Sequence, residues 1–100
     1  MTNILLKTAL KNAVVRTNCA NNYEFHLNNI SINGSKKGCS GFIKNSINNK
    51  IVYVNTETNP LLQNKLLIRY AKSLTDYTGE HNRFAKSKDE LTAIIIAMLA

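Results

Sequence analysis

Four lysines and four aromatic residues are the side chains of this sequence whose types and spacing could do chemistry together. The lysines fall in two predicted loops that flank one predicted β-hairpin, and the rings fall on predicted strands nearby. Basic segments around an aromatic sheet can hold a phosphodiester backbone and stack unpaired bases. The alternative is that the rings belong to the core and the lysines only keep the domain in solution. The residues are Lys36, Lys37, Lys44, Lys50, Tyr23, Phe25, Phe42 and Tyr53.

The positive charge is unevenly distributed along the chain. Residues 1–56 contain seven basic residues and one acid, Glu24, a balance of +6, whereas residues 57–100 contain six basic and five acidic residues, a balance of +1. A basic half attracts phosphates or an acidic protein surface, so Arg16 joins the four lysines as a candidate contact for a nucleic acid or a protein partner. The second basic group is interleaved with acids, which predicts a solvated or protein-facing surface: Arg69, Lys72, Arg83, Lys86 and Lys88.

Patterns of catalytic or metal-binding residues are missing from the sequence. A cysteine nucleophile needs a base beside it, and nothing in the sequence pairs Cys39 with His26, although their predicted strands could be neighbours. Two cysteines and two histidines spread over positions 19–81 lack the spacing of a zinc module, and the glycines form no phosphate-binding fingerprint. A poised pair of acids is also missing. We therefore expect no catalysis, no metal and no cofactor.

The compartment can be predicted from the apolar segments and the cysteines. No apolar run reaches the roughly 18 to 20 residues of a membrane helix, and Lys7 and Lys11 interrupt the apolar stretch at the start. Two thiols are too few to staple a secreted domain of this size. We expect a cytoplasmic protein that does not enter a membrane. Whether Cys19 and Cys39 are neighbours is left open.

The first half of the chain predicts a helix followed by strands. Residues 3–11 have helical spacing of apolar residues, and the β-branched run after them predicts a strand over residues 13–17. Residues 23–27 alternate, with Tyr23, Phe25 and Leu27 on one face. A change of parity predicts a bulge at the pair Asn28 and Asn29, and residues 33–34, Asn-Gly, predict a tight turn.

The second half predicts a hairpin, a further strand and a terminal helix. The runs "SGFIKN" and "KIVYVNT" are separated by "SINN", which predicts an antiparallel hairpin with a four-residue turn. Asn59 and Pro60 predict a short helix over residues 60–65. The run "LLIRYAK" predicts a strand, and "SLTDYTGEHNRFA" predicts a loop. Ser87 and Glu90 form a capping-box pattern before an apolar helical stripe. The stripe consists of Leu91, Ile94, Ile95, Met98 and Leu99.

These elements predict one α+β domain over residues 1–100. Its sheet has four or five mostly antiparallel strands. The C-terminal amphipathic helix packs on one face of the sheet, and a short helix precedes the strands.

Three segments of the chain also support a family resemblance. They are "GCSGFI" at a strand entry, "VYVNTE", and "RYAKSLTDYTGEHN" before the final helix. From about residue 14 to the end, the chain resembles small domains of bacterial mobile elements, of the large-polyvalent-protein-associated kind. The resemblance implies a phage or plasmid accessory protein that acts by binding in the cytoplasm of an AT-rich bacterium, and it supplies no catalytic motif.

The resemblance favours an inhibitor of a host defence system, similar to an anti-CRISPR protein, that occupies a protein or nucleic-acid site. Its partner would be a host protein or a ribonucleoprotein. A basic nucleic-acid-binding accessory protein is the first alternative. A structural or dimerisation module is the second, and exposure of Ile96 on the last helix would support it. The oligomeric state and the nature of the surface that the basic half contacts are left open.

Overall fold

Five consecutive strands form the centre of the molecule. The structure, a computed structural model, describes residues 6–18, 22–32, 35–55 and 66–100. Its elements in chain order are α1 (Leu6–Asn18), β1 (Tyr23–Ile32), β2 (Ser35–Asn45), β3 (Ile51–Asn55), β4 (Leu66–Ser73), β5 (Asp76–Ala85) and α2 (Lys88–Leu99). All strand pairs are antiparallel and the spatial order is β1-β2-β3-β4-β5. The predicted fold class is confirmed, with five strands.

The sheet has two faces of different character. Both helices pack over one of them, α1 against β1 and β2, and α2 against β3, β4 and β5, and the helices contact each other. We call this side the helix face. Its core side chains alternate along the strands and are buried together with helix residues: Leu27, Ile43, Val52, Val54, Ile68, Leu10, Val14, Leu91, Ile95 and Leu99. We call the opposite side the open face, because no helix in the described part of the chain packs against it.

Helix α1 extends further than its sequence predicts. Residues 13–17 continue the helix to Asn18 and do not form a strand, so this prediction is wrong. Local propensity favours extended backbone at Val14 and Val15, but the difference is only a few tenths of a kcal/mol, about 0.7 at most. Val14 lies one turn after Leu10, and both side chains are fully buried in the core. Their burial outweighs the propensity, while Val15 stays partly exposed.

Strand β5 replaces the predicted loop after β4, so that prediction is also wrong. The strand pairs with β4 over most of its length, with register shifts between Ile68 and Tyr70 and between Ala71 and Ser73. His81 adopts a φ of 61° beside the first shift. Each irregularity adds one residue to β5, so side chains before and after it alternate between the two faces in opposite phase. The sequence of β5 therefore shows no continuous period of two.

The irregularity in the β1–β2 pair lies after the predicted position, and its extra residue is on β2. Asn28 and Asn29 pair in register with Ser40 and Cys39, and the register shifts between Ile30 and Ile32. The prediction of a bulge at the asparagine pair is therefore wrong. Residues 33–34 and the predicted helix over residues 60–65 lie outside the described residues.

The β2–β3 hairpin and α2 support each other. The hairpin has the predicted four-residue turn, residues 46–49, with Asn49 at a φ of 63°. The side-chain amides of Asn45 and Asn48 donate to the carbonyl oxygen of Leu99 at 2.8 and 3.0 Å, and the ammonium of Lys50 donates to the carbonyl oxygen of Ala100. Carbonyls at a helix C-terminus have no intrahelical partner, so the turn supplies their donors.

The start of α2 confirms the predicted N-cap. Ser87 has extended backbone, and its hydroxyl accepts a hydrogen bond from the Glu90 N–H at 3.2 Å. Leu91, Ile95, Met98 and Leu99 of the predicted stripe are buried, and Ile94 is half-buried against the core. No helix of the described residues is long and apolar enough to span a membrane.

Candidate ligand-binding face of the sheet

One cross-strand row of side chains crosses the middle of the open face. His26 of β1 lies opposite Phe42 of β2, which lies opposite Tyr53 of β3, which lies opposite Arg69 of β4. Side chains directly opposite each other in antiparallel strands stand about 4.5 to 5.5 Å apart and point to the same side. The sheet therefore presents two aromatic rings between a histidine and an arginine, which we call the aromatic row.

The rings of the aromatic row contact each other and the arginine. The centroids of Phe42 and Tyr53 are 5.3 Å apart with planes inclined by 49°. The guanidinium carbon of Arg69 lies 5.8 Å from the Tyr53 ring centroid, within the range of a cation–π contact. The Tyr53 hydroxyl accepts a hydrogen bond from the Asn55 amide at 3.0 Å. Both rings are half-buried, so part of each remains accessible from the open face.

Arg69 has an unsatisfied donor. Its Nε is buried and has no hydrogen-bond partner among the described residues. Nearly all buried polar groups in folded proteins are paired, and an unpaired one costs about 1 to 3 kcal/mol. The contact with the Tyr53 ring supplies no acceptor for this N–H. The Arg69 side chain as a whole is half-buried, so a ligand on the open face that brings an acceptor oxygen would pair this donor once the side chain turns outward.

Two further rows border the aromatic row on the open face. One contains Glu24, Lys44, Ile51, Ala71 and Gly79, and the other contains Asn28, Ser40, Asn55, Leu67 and Phe84. This face carries acids at both ends, Glu24 on β1 and Asp76 opposite Ser73 on β5. Glu24 accepts a hydrogen bond from the Ser46 hydroxyl at 3.2 Å. The Phe84 side chain is 39% exposed, which extends the apolar area toward β5.

The predicted contact residues do not all lie on one surface. Lys44 stands half-buried on the open face, opposite Glu24 in the register. Lys50 contacts Ala100 beyond the end of α2, and Arg16 lies exposed in the last turn of α1. Lys36 and Lys37 belong to β2 rather than to a loop, and their side chains lie outside what the structure describes.

The predicted aromatic group divides between the two faces. Tyr23 and Phe25 are half-buried and pack against the core on the helix face, whereas Phe42 and Tyr53 face the other way. Sequence reasoning missed Arg69, which it placed in the solvated basic group. Alternation in "LLIRYAK" puts Arg69 on the opposite face from Ile68 and Tyr70, and this was the available signal.

The sheet separates the two side chains considered for nucleophilic chemistry. Cys39 is fully buried, as expected, and shares the helix face with Ile43, whereas His26 lies on the open face with its Nε2 4.0 Å from Glu24 Oε1. Cys19 lies outside the described residues. In the described part of the chain, no group of three His, Cys, Asp or Glu side chains could hold a metal ion.

Ile96 is relevant to the dimerisation alternative. Its side chain is half-buried and packs against the core. The structure therefore gives no exposed apolar patch at this position of α2.

No protein-family model, no curated protein and no solved structure matches this chain. The resemblance to mobile-element domains stays a prediction.

Proposed function

We propose that this chain is a non-enzymatic binding protein that holds single-stranded nucleic acid on the open face of its sheet. Arg69 is the observation that carries the proposal. Its buried Nε lacks an acceptor among the described residues, and the guanidinium lies over an aromatic ring. When the half-buried side chain turns outward, a phosphate oxygen or a base edge supplies the missing acceptor, and arginine binds both.

The aromatic row determines which form of nucleic acid fits. Every unpaired base has a face that can stack on Phe42 or Tyr53, whereas the bases of a duplex are stacked on each other. A broad sheet face does not enter a duplex groove, which admits a helix or a two-stranded ribbon. The open face is therefore better suited to a single strand than to a duplex. The net charge of +7 supplies general attraction for the phosphates.

Titration of a labelled thymidine decamer tests this proposal. At about 50 mM salt we expect saturable binding, weakened at about 200 mM because binding releases counterions. A duplex of equal length should bind more weakly. Arg69→Gln should lower the affinity about tenfold, because hydrogen bonds to charged groups contribute about 1.5 to 3 kcal/mol, and it should reduce the salt slope by about 0.7.

Arg83→Gln is the matched control for Arg69→Gln. Arg83 is an exposed arginine on β5, placed opposite Ile68 on the helix face. Its replacement removes the same charge from the other side of the sheet. Equal losses in the two variants, or no binding of the wild type at low salt, would contradict the proposal.

We also propose a setting for this activity, which is inhibition of a nucleic-acid-guided defence complex in the cytoplasm of a bacterial host. The positive net charge supports capture of the guide or target strand rather than imitation of nucleic acid. In this setting the partner is a ribonucleoprotein, and the open face competes with the effector for its exposed strand.

A cleavage assay with a guide-loaded RNA-guided nuclease tests this second proposal. Excess wild-type protein should reduce target cleavage, the Arg69→Gln variant should not, and Arg83→Gln should behave as wild type. Full cleavage at saturating wild-type protein contradicts inhibition of that effector. Inhibition that persists in Arg69→Gln shows that another surface is responsible.

A further inference from the structure

A second basic feature lies where α1 passes the β1 edge of the sheet. A cleft of about 370 Å³ is present there. Two of its residues, Lys7 and Lys11, come from α1, and the others are Phe25, His26, Leu27 and Asn28 of β1. We call it the edge cleft. Among the described residues that line it, two are cations and none is an acid.

The two lysines of the edge cleft form a like-charge pair. They are four residues apart in α1, a spacing that places them side by side and disfavours the helix. Lys7 is half-buried, and Lys11 Nζ lies 5.7 Å from the Phe25 ring centroid. An anion between the two ammonium groups would relieve this repulsion.

The backbone of β1 adds donors to the edge cleft. The carbonyl oxygen of His26 points toward β2, since a Cβ built on Gly41 would lie 2.0 Å from it. Backbone groups of neighbouring strand residues point in opposite directions. The N–H groups of Phe25 and Leu27, together with their carbonyl oxygens, are therefore directed to the outer edge of β1, which is an edge strand.

His26 connects the edge cleft with the open face. It lines the cleft and is also the terminal residue of the aromatic row. A strand that lies along the row from Arg69 to His26 crosses three interstrand spacings, roughly 14 Å, and then meets the cleft.

We propose that the edge cleft is a phosphate-binding site that receives the backbone of a single strand after it leaves the aromatic row. The site rests on the proposed function, because that function supplies the strand. The ligand chemistry is a phosphodiester group between two ammonium groups and backbone N–H donors. The cleft thus sets the direction of the strand and the minimum length of a tightly bound oligonucleotide.

Oligonucleotide length tests the proposal. The double variant Lys7→Gln, Lys11→Gln should lower the affinity for a thymidine decamer about tenfold. The slope of log affinity against log salt concentration should fall by about 1.4, or 0.7 for each of two contacts. The double variant should weaken binding of a thymidine dimer less than about twofold, because two bases stacked on Phe42 and Tyr53 do not extend to the cleft. Glutamine keeps the helix propensity and removes the like-charge pair, so the variant should fold.

The control is Lys72→Gln, Lys86→Gln, which removes the same charge at two exposed positions outside the cleft lining. It should weaken both oligonucleotides equally and by less than about threefold. Equal effects of the two double variants on the decamer, or equal losses for dimer and decamer in the cleft variant, would overturn the assignment.

Inorganic tripolyphosphate separates this proposal from the proposed function. In amide NMR spectra it should shift residues 25–28 in the wild type and not in Lys7→Gln, Lys11→Gln. These shifts without decamer binding would support the phosphate site and refute its use by a nucleic acid. Decamer binding that depends on Arg69, without tripolyphosphate shifts and without an effect of the cleft variant, would overturn the phosphate site alone.

Discussion

Replacement of Phe42 and Tyr53 together by leucine is expected to weaken binding of a thymidine decamer by at least about 30-fold. Stacking of a base on an aromatic side chain contributes about 1 to 3 kcal/mol, so two rings contribute at least about 2 kcal/mol. The rings lie 5.3 Å apart across neighbouring strands and can accept successive bases. Fluorescence anisotropy at low salt measures the change.

Leucine is chosen because the two rings are half-buried. It keeps apolar volume against the sheet and removes the π-face, so the fold should persist in circular dichroism and thermal melts. Tyr53→Phe serves as the second control, because it removes only the hydroxyl that accepts from Asn55 and keeps the stacking surface. Unchanged decamer affinity in the folded leucine variant would contradict the assignment of the aromatic row.

Gly41→Ala is expected to lower the free energy of unfolding by at least about 3 kcal/mol. Gly41 has a φ of 145°, a backbone region that costs a residue with a side chain about 1 to 3 kcal/mol. The new Cβ would also lie 2.0 Å from the His26 carbonyl oxygen and 2.9 Å from the Leu27 Cα. Both contacts are with backbone, so β1 must move away from β2. Urea denaturation measures the loss of unfolding free energy. If the wild-type domain is only marginally stable, the Gly41→Ala variant will be unfolded even without urea.

Ser40→Ala is the comparison for Gly41→Ala. Ser40 precedes Gly41 in β2 and faces the open side between Asn28 and Asn55. The change should alter the unfolding free energy by less than about 1 kcal/mol, as most surface substitutions do. If both variants unfold at the same urea concentration, the prediction that a Cβ at position 41 destabilises the fold is wrong.

Features with local causes could be predicted from the sequence. The β2–β3 hairpin follows from alternation on both sides of an asparagine-rich turn, and Asn49 takes the positive φ that asparagine tolerates. The start of α2 follows from Ser87 and Glu90, which are three residues apart.

Features with non-local causes could not be predicted. Val14 has a strand-forming side chain, and it is helical because it is buried with distant parts of the chain. Alternation places Phe42 and Ile43 on opposite faces of the sheet. It does not predict which of the two faces the helices cover. The position of Arg69 opposite Tyr53 depends on the register between β3 and β4, and ten residues, 56–65, separate these strands. No local pattern sets a register across a connection of that length.

The consecutive strand order has a consequence for how the domain opens. Each strand pairs with its neighbour in the chain, so three of the four pairings close loops of five residues or fewer and the fourth, β3–β4, closes one of ten. Such loops close at a small entropic cost and give low contact order. The contact between α1 and α2 instead joins the first described element to the last. Opening of the β1–β2 hairpin is thus coupled to opening of the β4–β5 hairpin through the helix layer. A ligand on the open face adds a second coupling between the same strands, so its binding should make unfolding more cooperative without rearranging the helices.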